Sequence, residues 1–284
     1  MKETAPQLCR QKSIVLDIYH SLAKGIIYHG KITSFNYLAT KKNSSCLNIA
    51  MKQNYQTNYQ TIGEEIANSA LHFIGTLLGI LGLVFLVNNA HSSLPVYVIF
   101  ASTMIFMFSA STVYHAITPT KIKYFFRIID HQAIYIFIAG TYTPFSLLAL
   151  KGALGWALFC FEWVLALTGV ILSAVQFRFI KKIEMVIFIL MGWAIIGGCI
   201  PLARSLSLQS IVLLFLGGVL YTAGTFWYRA GKPKPAGIDQ AQNDGQQPSR
   251  SRLFCGHVIW HLFVLAGAAC HWFAVWFLCK AQFL

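Results

Sequence analysis

The chain has 284 residues, 56% of them hydrophobic and only 11% charged, where a soluble domain carries about a quarter charged. With a mean hydropathy of +0.60, this composition excludes a disordered chain, argues against an ordinary globular enzyme and points to a polytopic membrane protein. The formal charge of +13 suggests nucleic acid only if the basic residues do not sort along the membrane spans.

Residues 1–62 form a polar, basic N-terminal tail that carries eight Lys and Arg, from Lys2 to Lys52, and a Gln/Asn/Tyr-rich stretch over 53–60. No uninterrupted apolar segment with a small-residue cleavage site occurs there, so no signal peptide is expected. Met51-Lys52-Gln53 would serve as a short cytoplasmic leader, which makes residues 1–50 a candidate start-site artefact. The membrane domain is expected over 63–284. Apolar stretches long enough to cross a hydrocarbon core of about 30 Å fall near 70–88, 95–117, 126–149, 153–174, 185–203, 208–228 and 256–279. The fold class is therefore all-α, a bundle of seven transmembrane helices. The connectors are short except for 229–252, which is rich in Pro, Gly and Gln and expected to be flexible and solvated. No internal repeat marks an inverted-repeat transporter.

Seven spans sort the 22 basic residues. Nineteen fall on the side of the N-terminus, and only Lys151, Arg204 and Lys280 on the other. The positive-inside rule then puts the N-terminus in the cytoplasm and the C-terminus outside, and no nucleic-acid partner is needed to explain the charge. Seven cysteines (Cys9, Cys46, Cys160, Cys199, Cys255, Cys270, Cys279) are scattered without CxxC spacing. Most lie in apolar runs and read as small buried hydrophobes.

Ionisable groups at membrane depth are costly and usually face a bundle interior. Here they are patterned. Glu65, Asn68 and His72 form one stripe at the start of the first span. Ser111 and His115 are an i, i+4 pair near the end of the second, Asp130 and His131 begin the third, and His257 and His261 are an i, i+4 pair at the start of the seventh. The alternating direction of the helices places these groups at one level, the cytoplasmic end. His271, about 15 Å further along its helix, falls outside that layer. Three imidazoles and a carboxylate at one depth suit zinc: His115, His257 and His261 as ligands, water in the fourth position and Asp130 placing that water. Ser111 would tune the shell or bind a substrate carbonyl. Blander readings are open for each group alone. Ser111 could simply pack, Asp130 could pair with Arg127 or His131 at the interface, and Glu65 and Asn68 could cap the first helix. Glu162 is also within the membrane, without an obvious partner or assigned role. Gly75, Gly79, Gly197, Gly198, Gly217 and Gly218 are expected at close helix contacts.

Taken together, Glu65-x2-Asn68-x3-His72, Ser111-x3-His115, Asp130 and His257-x3-His261, in this order over seven spans, resemble the haemolysin III branch of the progestin and adipoQ receptor family, to which the adiponectin receptors belong. The resemblance runs from about residue 62 to the C-terminus. It implies zinc on His115, His257 and His261, a water contacted by Asp130, and Ser111 beside the metal. It also implies hydrolysis of lipid amides with ceramidase-like chemistry, or a role in membrane-lipid homeostasis. The N-terminal fifty residues and the loop between the sixth and seventh spans depart from the family's pattern without touching its motif. The leading expectation is an intramembrane zinc hydrolase of lipid amides or esters, with membrane lipids as partners, in a bacterial inner membrane. The rival is a non-enzymatic lytic, channel-like or membrane-sensing protein in which zinc is structural.

Overall fold

Helix α1 (Ile62–Asn89) starts eight residues before the apolar run does, because a capping box fixes its first turn. The Glu64 amide donates to Thr61 Oγ1 at 3.2 Å and the Thr61 amide donates to Glu64 Oε2 at 2.8 Å, so two of the helix's unpaired amides find acceptors. Glu65, Asn68 and His72 thus sit on the first turns of the spanning helix itself. The computed structural model describes residues 60–90, 93–117, 121–174, 178–230 and 256–281. The expectations for the N-terminal tail, the Met51 start and most of the loop over 229–252 lie outside these residues.

Helix α2 (Leu94–Ala116) carries Pro95 in its first turn, where a missing N–H costs nothing. Helix α3 (Lys121–Pro144) passes directly into a π-helical segment, Phe145–Leu150. Pro144 has no N–H for the α-helical ladder, and the chain re-spaces its hydrogen bonds from that point. Lys151 and Gly152, at φ of 53° and 59°, then turn the chain back into α4 (Gly152–Ala174). The fifth span is broken: α5 (Arg178–Trp193), a 3-10 stretch (Ala194–Gly198) and α6 (Cys199–Ser205). The sixth and seventh spans are α7 (Leu208–Ala230) and α8 (Gly256–Ala281). Among the described residues seven segments, from 22 to 29 residues long, are apolar enough to cross a membrane, as the sequence predicts. The chain is a multi-pass integral membrane protein.

Helix α1 packs on α2 and α8, α2 on α3, α3 on α4, and α7 on α8. The third span is the most enclosed of the seven, so it is the central helix. Exposed apolar side chains such as Leu81, Val164, Phe215 and Phe226 cover the outside, the surface that a hydrocarbon solvent requires. With lipid as apolar as Leu, helix association depends on close packing rather than on burial from water. Gly217 on α7 meets the His271 ring on α8 so closely that a Cβ there would overlap it. The ring's Nε2 donates to the Leu214 carbonyl at 3.1 Å, and His271 accordingly belongs to the α7–α8 seam. Gly75, Gly79 and Gly198 are likewise at tight contacts, Gly218 is at ordinary distance, and Gly197 faces open space, contrary to expectation.

The break in the fifth span is stitched by Tyr142 of α3. Its hydroxyl donates to the Gly192 carbonyl at 3.0 Å and accepts from the Ile195 amide at 2.9 Å, satisfying backbone groups that a lipid environment would leave unpaired. Near it, at the middle of α4, Glu162 is fully buried with neither carboxyl oxygen hydrogen-bonded. A buried polar group without a partner costs about 1–3 kcal/mol. Replacing Glu162 by Leu is therefore expected to raise the thermal unfolding midpoint in detergent, and a fall of several degrees would show that the acid has a stabilising partner.

Candidate metal centre

At the end of the bundle where α1, α3 and α8 begin and α2 finishes, three imidazoles converge. One ligand nitrogen from each of His115, His257 and His261 lies within 4.8 Å of the others. His257 and His261 stand one turn apart on α8, so their rings share a face, with centroids 4.7 Å apart. His115 reaches them from the last turn of α2, 5.4 Å from His257 and 4.8 Å from His261. His115 and His261 are buried, and His257 is partly exposed.

Helix α1 orients two of these rings. Glu65 Oε2 lies 2.8 Å from His115 Nδ1. A carboxylate can only accept, so Nδ1 carries the proton and the Nε2 lone pair is left free. His261 Nδ1 is 2.6 Å from His72 Nε2, and with the proton on His261 Nδ1 its Nε2 is free in the same way. The Nε2 atoms of both His115 and His261 are buried and lack a hydrogen-bond partner. Two orphaned acceptor nitrogens beside a third imidazole, each with its other nitrogen held, form the donor arrangement of a divalent-metal site. The residues fit a metal.

Lys123 was legible in sequence only as one more positive charge. In the structure its Nζ pairs with Glu65 Oε1 at 2.9 Å and donates to the Ile117 carbonyl at 3.1 Å. It therefore fixes the carboxylate that fixes His115 and closes the end of α2. Its position in the first turn of α3, eight residues past His115, was the available signal. Tyr228 at the end of α7 places its ring 5.5 Å from that of His257.

Asp130, on α3, is not among the converging ligands. Its carboxylate faces the Ser111 hydroxyl and lies within electrostatic reach of His115. Ser111 Oγ is buried and within reach of that carboxylate without meeting hydrogen-bond geometry. The interfacial ion pair considered for Asp130 goes elsewhere: His131 pairs with Glu184 of α5 at 3.3 Å, and Arg127 lies over the Tyr124 ring. Asn68 is fully buried, with Nδ2 donating to Gln60 Oε1 at 2.7 Å and Oδ1 unpaired. Glu65, His72, His115, His257 and His261 are thus joined by direct contacts at this end of the bundle, whereas Asn68 bonds to Gln60 instead. Loss of an orienting partner typically lowers metal affinity about 10–100-fold. Glu65→Gln and His72→Ala should each do so in a chelator-competition titration of purified protein, and unchanged affinity would remove α1 from the site.

The Haemolysin-III related family matches the chain over residues 60–272. The "Hemolysin-3 homolog" of Bacillus subtilis (strain 168) is 40% identical over 230 residues, 79% of this chain and 99% of that protein. "Hemolysin-3" of Bacillus cereus is 36% identical over 223 residues, 77% and 93% of the two chains. The human "Monocyte to macrophage differentiation factor" is 27% identical over 175 residues, 60% and 64% of the two.

Proposed function

The chain belongs to the Haemolysin-III related family, and from that premise we propose that it is a zinc-dependent hydrolase of membrane-lipid amides or esters. The observation that carries the reading is the pair of buried, unpaired Nε2 atoms on His115 and His261 beside His257, with Asp130 and Ser111 alongside. His115, His257 and His261 would hold the ion, and an all-nitrogen set of three suits zinc. Zinc supplies Lewis acidity there, acidifying water and polarising a carbonyl.

The chain's own groups do the rest. Asp130 orients the attacking water and takes its proton as the oxygen adds to the carbonyl carbon. The Ser111 hydroxyl donates to the developing oxyanion. The C–N or C–O bond then breaks, and the proton passes from Asp130 to the leaving amine or alcohol. Glu65 and His72 keep two ligand rings in the productive tautomer. The lipid-facing walls of the bundle admit substrate from the bilayer, and the activity serves membrane-lipid homeostasis.

The charge asymmetry supports a cytoplasmic N-terminus, an outside C-terminus and a site at the cytoplasmic end of the bundle, and the Bacillus relatives support a bacterial membrane. In a cysteine-free background, a membrane-impermeant maleimide should label Ser207→Cys on intact cells and Gln240→Cys only after permeabilisation. The reverse pattern would invert the topology.

Asp130→Asn should retain the metal and lose hydrolysis of N-acyl and O-acyl lipids about 10²–10⁴-fold, the usual contribution of a general base. Undiminished turnover would contradict the mechanism. A second reading takes its support from the relatives' printed name and from the placement of ligands on α2 and α8, which a metal would tie together. In that reading the protein is lytic or membrane-sensing. Metal removal then lowers its unfolding temperature, and Asp130→Asn leaves vesicle leakage unchanged.

A further inference from the structure

Glu162 is the sole charged residue of α4, and no Asp, Glu, Lys or Arg occurs between 132 and 150 or between 185 and 203. The buried residues of α4 are Gly155, Glu162, Ala166 and Gly169, one stripe of the helix. That stripe lies on the third span: a Cβ at Gly155 would overlap the Ser146 carbonyl oxygen, and one at Gly169 would overlap the Tyr135 ring. Trp163 Nε1 donates to Thr143 Oγ1 at 3.2 Å, and Tyr142 is within electrostatic reach of Glu162. The acid thus faces the third span at Tyr142 and Ser146, which stand one turn apart. From Asp130 to Tyr142 the helix rises about 18 Å, so this place is remote from the three histidines.

Both carboxyl oxygens of Glu162 and the Ser146 hydroxyl are fully buried, and none of the three has a hydrogen-bond partner. Side chains lean toward the N-terminus of their own helix. The third and fourth spans run in opposite directions, so Glu162 and Ser146 lean toward one another across the same gap. Their neighbours are already committed. The Tyr142 hydroxyl donates to the Gly192 carbonyl and accepts from the Ile195 amide, which also marks the fifth span's backbone ladder as open at this level. The Thr143 hydroxyl donates to the Ala139 carbonyl and accepts from Trp163. Among the described residues no Lys, Arg or His pairs with Glu162.

The groups left over are therefore oxygens: a carboxylate, a hydroxyl, and peptide carbonyls of the irregular segments Phe145–Leu150 and Ala194–Gly198. Oxygen ligands suit hard cations, and backbone oxygens at helix breaks serve sodium inside membranes. Charge decides the valence. One carboxylate and one monovalent ion leave the gap neutral, whereas a divalent ion would leave a positive charge that no second acid offsets in apolar surroundings. A proton also neutralises the acid, but Glu162 and Ser146 do not bond to one another, so its O–H would lack an acceptor. An ion seated between them contacts both. We propose that Glu162 and Ser146 bind one sodium ion between the third and fourth spans, beside the break in the fifth, at a site independent of the histidine centre.

The test uses the full chain in detergent, with sodium chloride or N-methylglucamine chloride at equal ionic strength. Equilibrium dialysis with radioactive sodium should find one saturable ion per chain, and sodium should raise the unfolding midpoint by several degrees, as a ligand of the native state does. Glu162→Gln should lose both responses, and Ser146→Ala should bind sodium more weakly. Glu162→Leu should unfold at one temperature in both salts, with its gain over wild type largest without sodium; this separates a lost ion from a lost fold. His257→Ala/His261→Ala should keep the sodium response, so the metal centre and this site fail separately. Absence of saturable sodium in the wild type, or equal binding by Glu162→Gln, would overturn the proposal. So would a larger midpoint shift with calcium. An infrared carboxylic-acid band that is absent from Glu162→Gln and persists in saturating sodium would mean a proton alone, and would also overturn it.

Discussion

Two hydrogen bonds onto α1, from His115 to Glu65 and from His261 to His72, govern what the rest of the bundle can do. Each holds one imidazole nitrogen, and the Glu65 carboxylate, which can only accept, sets the tautomer of His115. Without them, buried rings on α2 and α8 would be free to turn, and their Nε2 atoms would have no reason to stay unpaired at a common point. A lone buried imidazole acceptor is unfavourable in an apolar medium. Two of them, held by dedicated partners, are an expense that makes physical sense when a cation is the ligand they await. Lys123 extends the chain of restraint one residue further by neutralising the second oxygen of Glu65.

The bundle reserves its polarity for a few places. The histidine layer is one. Another is the seam around His271, and a third is the region where Tyr142 repairs the broken fifth span. The surface facing lipid is apolar, and contacts between helices are made close by small residues such as Gly140 and Gly217.

Much of this was legible in the sequence, because membrane depth compresses the alternatives. Seven apolar runs fix the spans to within a few residues, and i, i+4 spacing puts His257 and His261 on one face. Helix direction then brings His115 level with them. Less visible was the start of α1, where a capping box outranked the hydropathy boundary. Hydropathy also could not show that His72 touches His261 or that Lys123 serves Glu65, because both contacts depend on which helix faces turn toward each other. The break in the fifth span left a trace in Gly197, Gly198 and Pro201. Its repair by a tyrosine on another helix left none.

The central claim is a metal centre on His115, His257 and His261. Elemental analysis of detergent-purified protein, wild type beside the His257→Ala/His261→Ala variant, tests it most directly. One zinc per chain in the wild type, absent from a folded double variant, is the result the proposed metal centre predicts. Well-folded wild type purified without chelator and free of any divalent metal would contradict it and reduce the three histidines to a polar network.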